Sequence, residues 1–173
     1  MGSPGVFKFT KDGKPVPGTG FATKIGSGPY EVRGPHSIAI DRRGRIYIGD
    51  RGNFRIQVFD QNGKLLESWP NVSARSMTID SKDRIWAICG DDVCGKDIAP
   101  HSMTALDANN GGKVLFNWGV AGSLPGQFFH LGQFDVDSEG NMYTVEVGGG
   151  RVWKWRPRPG ANRDHLIAWP IQQ

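Results

Sequence analysis

Short runs in which apolar and polar residues alternate, separated by glycine, asparagine and aspartate, fill this chain from residue 35 onward. Period-two alternation predicts strands with one packed face. Residues 37–41 and 46–50 form the first two, joined by a turn at Arg43-Gly44. The loop Arg51-Gly52-Asn53 leads to residues 55–60, where Ile56 and Val58 alternate with Gln57 and Phe59. Gln61-Asn62-Gly63 supplies asparagine-glycine hairpin chemistry. Residues 64–69 then close a unit of four antiparallel strands.

The same arrangement returns twice. A second copy predicts strands at 76–80 and 84–89, a long insertion at 90–103, and outer strands at 104–107 and 113–118. A third predicts strands at 133–137, 141–147, 151–156 and 165–169. Asp41, Asp80 and Asp137 hold one place in the pattern, and Trp69, Trp118 and Trp169 hold another. Self-similarity at a period of roughly 40–50 residues, with several short strands per unit, predicts propeller blades. Residues 5–14 match only the outer half of such a unit, because Phe7 to Lys14 aligns with Gln57 to Lys64.

The expected fold is therefore all-β: a single domain over 1–173 with about three and a half blades. An incomplete blade plus connector occupies 5–33, and full blades occupy 34–70, 74–119 and 126–170. Closed propellers have typically about four to eight blades. Three expectations follow for the chain: a fragment of something longer, a dimer that completes the ring, or an unusual four-bladed ring.

Composition narrows the class without deciding the function. Charged residues make up 22% and hydrophobic residues 38%, as in a globular rather than a disordered chain. The 25 glycines and 11 prolines show no collagen-like period and read as turn punctuation. No apolar run approaches the ~20 residues of a membrane helix. The first residues lack a secretory layout, which predicts a cytoplasmic chain as given, or an exported one if the precursor is longer. A net charge of +4 permits acidic ligands without requiring them. Arg151 to Arg158 interleaves cations with Trp153 and Trp155, a pattern that could stack single-stranded nucleic acid. It equally suits a strand with one packed face, and nucleic acid is not the expected partner. Cys89 and Cys94, five residues apart, have no second cysteine pair with which to build a zinc knuckle. A disulfide and two free thiols both remain open.

The segment GPHSIAIDRRGRIYIGDRGNFRIQVFDQNGKLL closely resembles the NHL repeat. The chain as a whole resembles the C-terminal half of bacterial six-bladed NHL propellers of the peptidyl-α-hydroxyglycine α-amidating lyase type. That resemblance implies a central zinc held by histidines from alternate blades, one of them in a Pro-His-Ser motif, here Pro35-His36-Ser37. It implies a calcium ion as well. It also implies an assisting arginine after the second-strand aspartate, here Arg51. Neutral imidazoles suit zinc, and an arginine can stabilise charge as a carbon–nitrogen bond breaks. The next histidine would fall five residues before Asp137, where Gly132 stands; His130, two residues away, takes its place if the loop bulges. The site expectation is thus zinc on His36 and His130 with Arg51 as the catalytic cation.

His101 also stands in a Pro-His-Ser sequence, but inside the insertion, and reads as a coincidental match. Asp91, Asp92 and Asp97 lack calcium-loop spacing and read as a solvated loop. Two functions remain. One is a non-catalytic propeller that binds a protein, peptide or small ligand at its central channel or flat face. The other is a zinc-dependent carbon–nitrogen lyase active only in a complete ring.

Overall fold

A computed structural model describes residues 5–89, 94, 95 and 97–167. Two short strands, β1 (Lys24–Ile25) and β2 (Glu31–Val32), pair in parallel. Blade 1 is then β3 (Pro35–Ile40), β4 (Ile46–Asp50), β5 (Arg55–Phe59) and β6 (Leu65–Pro70), antiparallel in that order. Blade 2 is β7 (Ser76–Ile79), β8 (Arg84–Cys89), β9 (Ser102–Asp107) and β10 (Lys113–Trp118). Blade 3 contains β11 (Leu131–Val136), β12 (Met142–Glu146) and β13 (Arg151–Trp155). The first strands of successive blades, β3, β7 and β11, lie side by side. The sheets thus stack face to face as all-β propeller blades.

One turn builds every blade. In Asp41–Gly44 the Gly44 N–H donates to the Asp41 carbonyl, and the Asp41 N–H donates to the Arg45 carbonyl. The Asp41 carboxylate accepts from the backbone N–H groups of Arg43 and Arg45, at 2.9 and 2.8 Å. The same bonds recur around Asp60, Asp80 and Asp137. The fourth residue must have positive φ, which glycine adopts freely: Gly44 at 78°, Gly63 at 81°, Gly140 at 79°. In blade 2 that residue is Asp83, at 56°. Around Thr10 the backbone bonds to Lys14 and from Gly13 repeat, with the threonine hydroxyl in place of the carboxylate. The segment at 5–16 therefore turns back on itself like the outer hairpin of a blade, with Phe9 bridging Pro15.

The repeated aspartates also anchor side chains. Asp41 pairs with Arg45 (Nε–Oδ2 2.7 Å) and accepts from the Tyr47 hydroxyl at 3.1 Å. Burial and the Asp41 carboxylate push the Tyr47 phenol well above its ordinary 10.0. Asp80 pairs likewise with Arg84 and accepts from Trp86 Nε1. Both arginines reach onward to the next blade's outer turn, Arg45 to the Ala108 carbonyl and Arg84 to the carbonyls of Asp164 and Leu166. In blade 3 the equivalent residue is Asn141, whose amide stays on Asp137 and Glu139.

Asn141 holds the Asp137 carboxyl down to about 2, from 3.8, with Tyr143 adding a further hydrogen bond. A depressed carboxyl stabilises the fold when ionised. Its contribution is present above the ordinary value and is lost as pH falls through about 2. Asn141→Ala should return the Asp137 titration toward 3.8, read by carboxyl-detected NMR. An unmoved midpoint would show that the backbone bonds alone hold it.

Three apolar clusters lie between the layers. Tyr47, Ile56, Val58 and Trp69 of blade 1 meet Met77, Ile79, Ile85 and Leu106 of blade 2. Trp86, Ile88 and Met103 of blade 2 meet Leu131 and Phe134 of blade 3, with Trp118, Phe128 and Trp155 stacked edge to face. Phe21, Ala22 and Val32 cover Ile46, Ile48 and Phe59 on the other side of blade 1. Among the described residues blade 3 has three strands. The expected fourth, at 165–169, begins instead in a one-turn 3-10 helix, Arg163–His165, capped by Asn162 and held to blade 2 by Lys82 and Arg84. Trp169 lies outside the described residues.

Candidate functional site

The end of the array that carries the loops between second and third strands gathers the residues of interest. Pro35 pairs with Asp50 and Ser37 with Gly49, so His36 is the extra residue of a β-bulge. Blade 3 repeats the irregularity: Leu131 pairs with Glu146 and Gln133 with Val145, leaving Gly132 as the extra residue. Bulges re-aim side chains at strand ends. His36 is exposed, and its Nδ1 lies 2.9 Å from the Arg75 carbonyl. A carbonyl only accepts, so Nδ1 carries a proton and donates it, and Nε2 is the nitrogen left for a further partner. Arg75 stands five residues before Asp80, the place His36 holds before Asp41 and Gly132 before Asp137. The repeat register alone could have singled it out.

Arg51 opens the one-turn 3-10 helix Arg51–Asn53 at the mouth of β4 and is half-buried. Asp50 does not turn to it but to Arg55, at 2.7 Å. Asp50 also accepts from the Arg33 N–H and from Asn53 Nδ2. Arg55 in turn donates to the carbonyls of Ser27, Gly28 and Glu31. Glu146 and Arg151 repeat this clamp in blade 3, Nε–Oε2 2.7 Å, with Arg151 donating to the Ser123 carbonyl. These acid–arginine pairs tie the connectors that precede the blades and are structural rather than chemical. Cys89 holds the corresponding place in blade 2, nine residues after Asp80, and it is joined to Cys94 by a disulfide with a Cα–Cα distance of 5.6 Å. A covalent tie thus stands where the other two blades use an ion pair.

His130, at φ 52°, lies in the connector before β11 and meets not His36 but His101, ring centroids 4.7 Å apart. His101 is buried and accepts from the His130 N–H through Nδ1 at 3.3 Å, which places its ring proton on Nε2. Phe129 packs against both rings. The sequence offered only a duplicated Pro-His-Ser as a hint of this pair. Among the described residues no three His, Cys, Asp or Glu side chains gather into a metal-holding group. His36 presents one ready imidazole nitrogen, whereas a catalytic zinc takes about three protein ligands. A zinc centre would need donors from outside the described residues. Asp91 and Asp92 lie outside the described residues; the Asp97 carbonyl accepts from Asn117 Nδ2.

Four-stranded antiparallel sheets stacked with their first strands side by side define a partial β-propeller. The NHL repeat family profile matches residues 33–59, the stretch that holds His36, Asp50, Arg51 and Arg55. The chain thus carries an NHL repeat within a partial β-propeller. It is 32% identical over 139 residues to NHL repeat-containing protein 3 of Mus musculus, covering 76% of this chain and 38% of that protein. The chain therefore spans well under half the length of that relative. A protein of unknown function from Bacteroides caccae superposes with a TM-score of 0.61 at 17% identity, over 87% of this chain and 58% of the other. A luciferin-regenerating enzyme superposes at 0.58 and 10% identity, over 96% of this chain and 50% of that one. At such identities the structural likeness speaks for the fold alone. No helix among the described residues is long and apolar enough to cross a membrane.

Proposed function

We propose that this chain is a binding scaffold for a protein, peptide or small ligand, received across the propeller end that carries His36, Arg51 and Arg75. The observation that carries this reading is the bulge at His36, which turns an exposed imidazole toward the neighbouring blade at the mouth of the inner strands. Arginines at the same end favour a ligand with a carboxylate, because a guanidinium meets a carboxylate with two parallel hydrogen bonds. The folded chain, labelled and applied to an array of peptides with free C-terminal carboxylates, should bind a subset of them. His36→Ala and Arg51→Ala should abolish those signals while leaving the circular dichroism unchanged. Binding indifferent to both substitutions would sink the reading.

A second reading is favoured by one pairing: Pro35 opposite Asp50 brings His36 and Arg51 to neighbouring strand ends, as the amidating-lyase resemblance implies. In that reading a complete ring cleaves an α-hydroxyglycine carbon–nitrogen bond. His36 would be one zinc ligand, and Arg51 would meet the developing charge.

A further inference from the structure

Asn71-Val72-Ser73 is an Asn-x-Ser triplet with valine in the middle, the acceptor pattern for N-linked glycosylation. Among the asparagines of this chain, Asn71 alone has a serine or threonine two residues on. Such a triplet also arises by chance, and its surroundings decide its weight.

The triplet lies in the connector from β6, the outermost strand of blade 1, to β7, the innermost strand of blade 2. The backbone there is held at three points. The Val72 N–H donates to the Phe54 carbonyl at 3.0 Å, the Ser73 N–H to the Cys94 carbonyl at 2.7 Å, and the Arg75 N–H to the Ile88 carbonyl at 2.9 Å. Val72, Ser73 and Ala74 are buried. Asn71 is exposed, at φ 62°, a left-handed conformation that asparagine accepts more readily than most residues. Its main chain is pressed against Gly95, where an added Cβ would come within 1.7 Å of the Asn71 carbonyl oxygen. The acceptor side chain is thus left in solvent on a fixed backbone.

A second observation bears on the compartment. Both cysteines of the chain are joined in the Cys89–Cys94 disulfide, both are buried, and Cys94 is bonded to this same connector. Disulfides form and persist where thiols are oxidised, and the secretory lumen that oxidises them is also where N-glycans are attached.

We propose that Asn71 is an N-glycan acceptor and that this protein matures in a disulfide-forming secretory compartment. The Asn71 amide nitrogen bonds to C1 of the first sugar of a lipid-linked oligosaccharide. The bond from C1 to the lipid pyrophosphate breaks, the pyrophosphate keeps the electron pair, and the amide gives up one proton. Closure of Cys89–Cys94 passes two electrons and two protons to a disulfide of that compartment, which is reduced to a dithiol. Ser73 is buried in the folded chain, and the transferring enzyme must meet its hydroxyl, so transfer precedes folding of the Cys94 loop over the connector. β6 ends at Pro70, opposite Arg55, which places the glycan at the outer rim of the end that carries His36. The inner strand ends stay open to a ligand. This inference rests on the triplet and the disulfide, not on the ligand reading above.

Tryptic digestion of the protein isolated from its own cells tests it. The peptide 65–75 should carry a glycan, and peptide N-glycosidase should release the sugar and leave aspartate at 71. Recovery of that peptide in unmodified form only would overturn the proposal. Alkylation in denaturant without prior reduction should leave Cys89 and Cys94 unlabelled; labelled thiols would overturn the assigned compartment. Variants made in the same cells are read on denaturing gels, where folding does not enter. Asn71→Asp keeps a side chain suited to the left-handed turn but lacks the amide, and it should lose the whole mass shift. Ser73→Ala should lose it as well and Ser73→Thr should keep it, because the acceptor pattern needs a hydroxyl two residues on. A shift that survives Asn71→Asp or Ser73→Ala would place the sugar elsewhere and overturn the proposal.

Discussion

Asp50→Ala is expected to cost about 3–5 kcal/mol of folding stability, the penalty for stripping one partner from a buried ion pair. The Asp50 side chain is fully buried, and its Arg55 partner is 15% exposed. Without the carboxylate, Arg55 would keep its charge in a site that offers only the carbonyls of Ser27, Gly28 and Glu31. Arg33 N–H and Asn53 would lose an acceptor at the same time. Domains of this kind are stable by about 5–15 kcal/mol in all, so the loss is a large share. Urea denaturation should show the midpoint drop, and Asp50→Asn should recover part of it by restoring an acceptor. A comparison with Asp12→Ala sets the scale: that carboxylate pairs with Lys14 on an exposed turn, and its removal should leave the midpoint in place. A midpoint that also stays put in Asp50→Ala would mean that the connector at 26–33 is held by Val32 and its apolar neighbours alone.

The second large effect belongs to Phe128. Its ring is fully buried, 5.1 Å from Trp118 and 5.2 Å from Trp155, in the cluster that seats blade 3 on blade 2. Phe128→Ala opens a cavity there, for which about 3–5 kcal/mol is usual. Stacked blades contact only their neighbours, so the damage should stay local. Blade 3 should loosen first, and the emission of Trp118 and Trp155 should shift red at a denaturant concentration where blade 1 is still intact. A single coincident transition for fluorescence and circular dichroism would show instead that the blades melt as one unit.

The histidines show how far sequence reasoning reaches. His36 was legible because the repeat register put it at the head of an inner strand, and it stands there. The repeat register puts Gly132 where the next histidine is expected and offers His130 in its place if the chain bulges between them. The bulge exists, but His130 turns to His101, whose Pro-His-Ser context reads in sequence as a coincidental match. Nothing local pairs those two residues. Their meeting depends on how the insertion folds back over the connector between blades 2 and 3. Asp50 takes not the adjacent Arg51 but Arg55, five residues along and on the adjoining strand. The registered pair Asp50–Arg55 sits at the point where β4 and β5 face one another, so the cross-strand neighbour prevails over the adjacent residue in sequence.

The amino-acid sequence by itself determined the strands, the turns and their grouping into blades. Those features are local. An aspartate that binds the N–H groups two and four residues ahead, followed by a residue at positive φ, makes its turn wherever it occurs. Period-two alternation then orients the strands on either side. The tertiary structure alone decided which acid holds which arginine, that a disulfide stands in for an ion pair in blade 2, and which apolar residues meet across the seams. Each of these depends on burial, and burial is conferred by residues tens of positions away that packing brings alongside. Ile56 and Leu106 carry no stronger apolar signal in sequence than Ile38, yet both are fully buried, because they lie in the seam where blade 1 packs on blade 2.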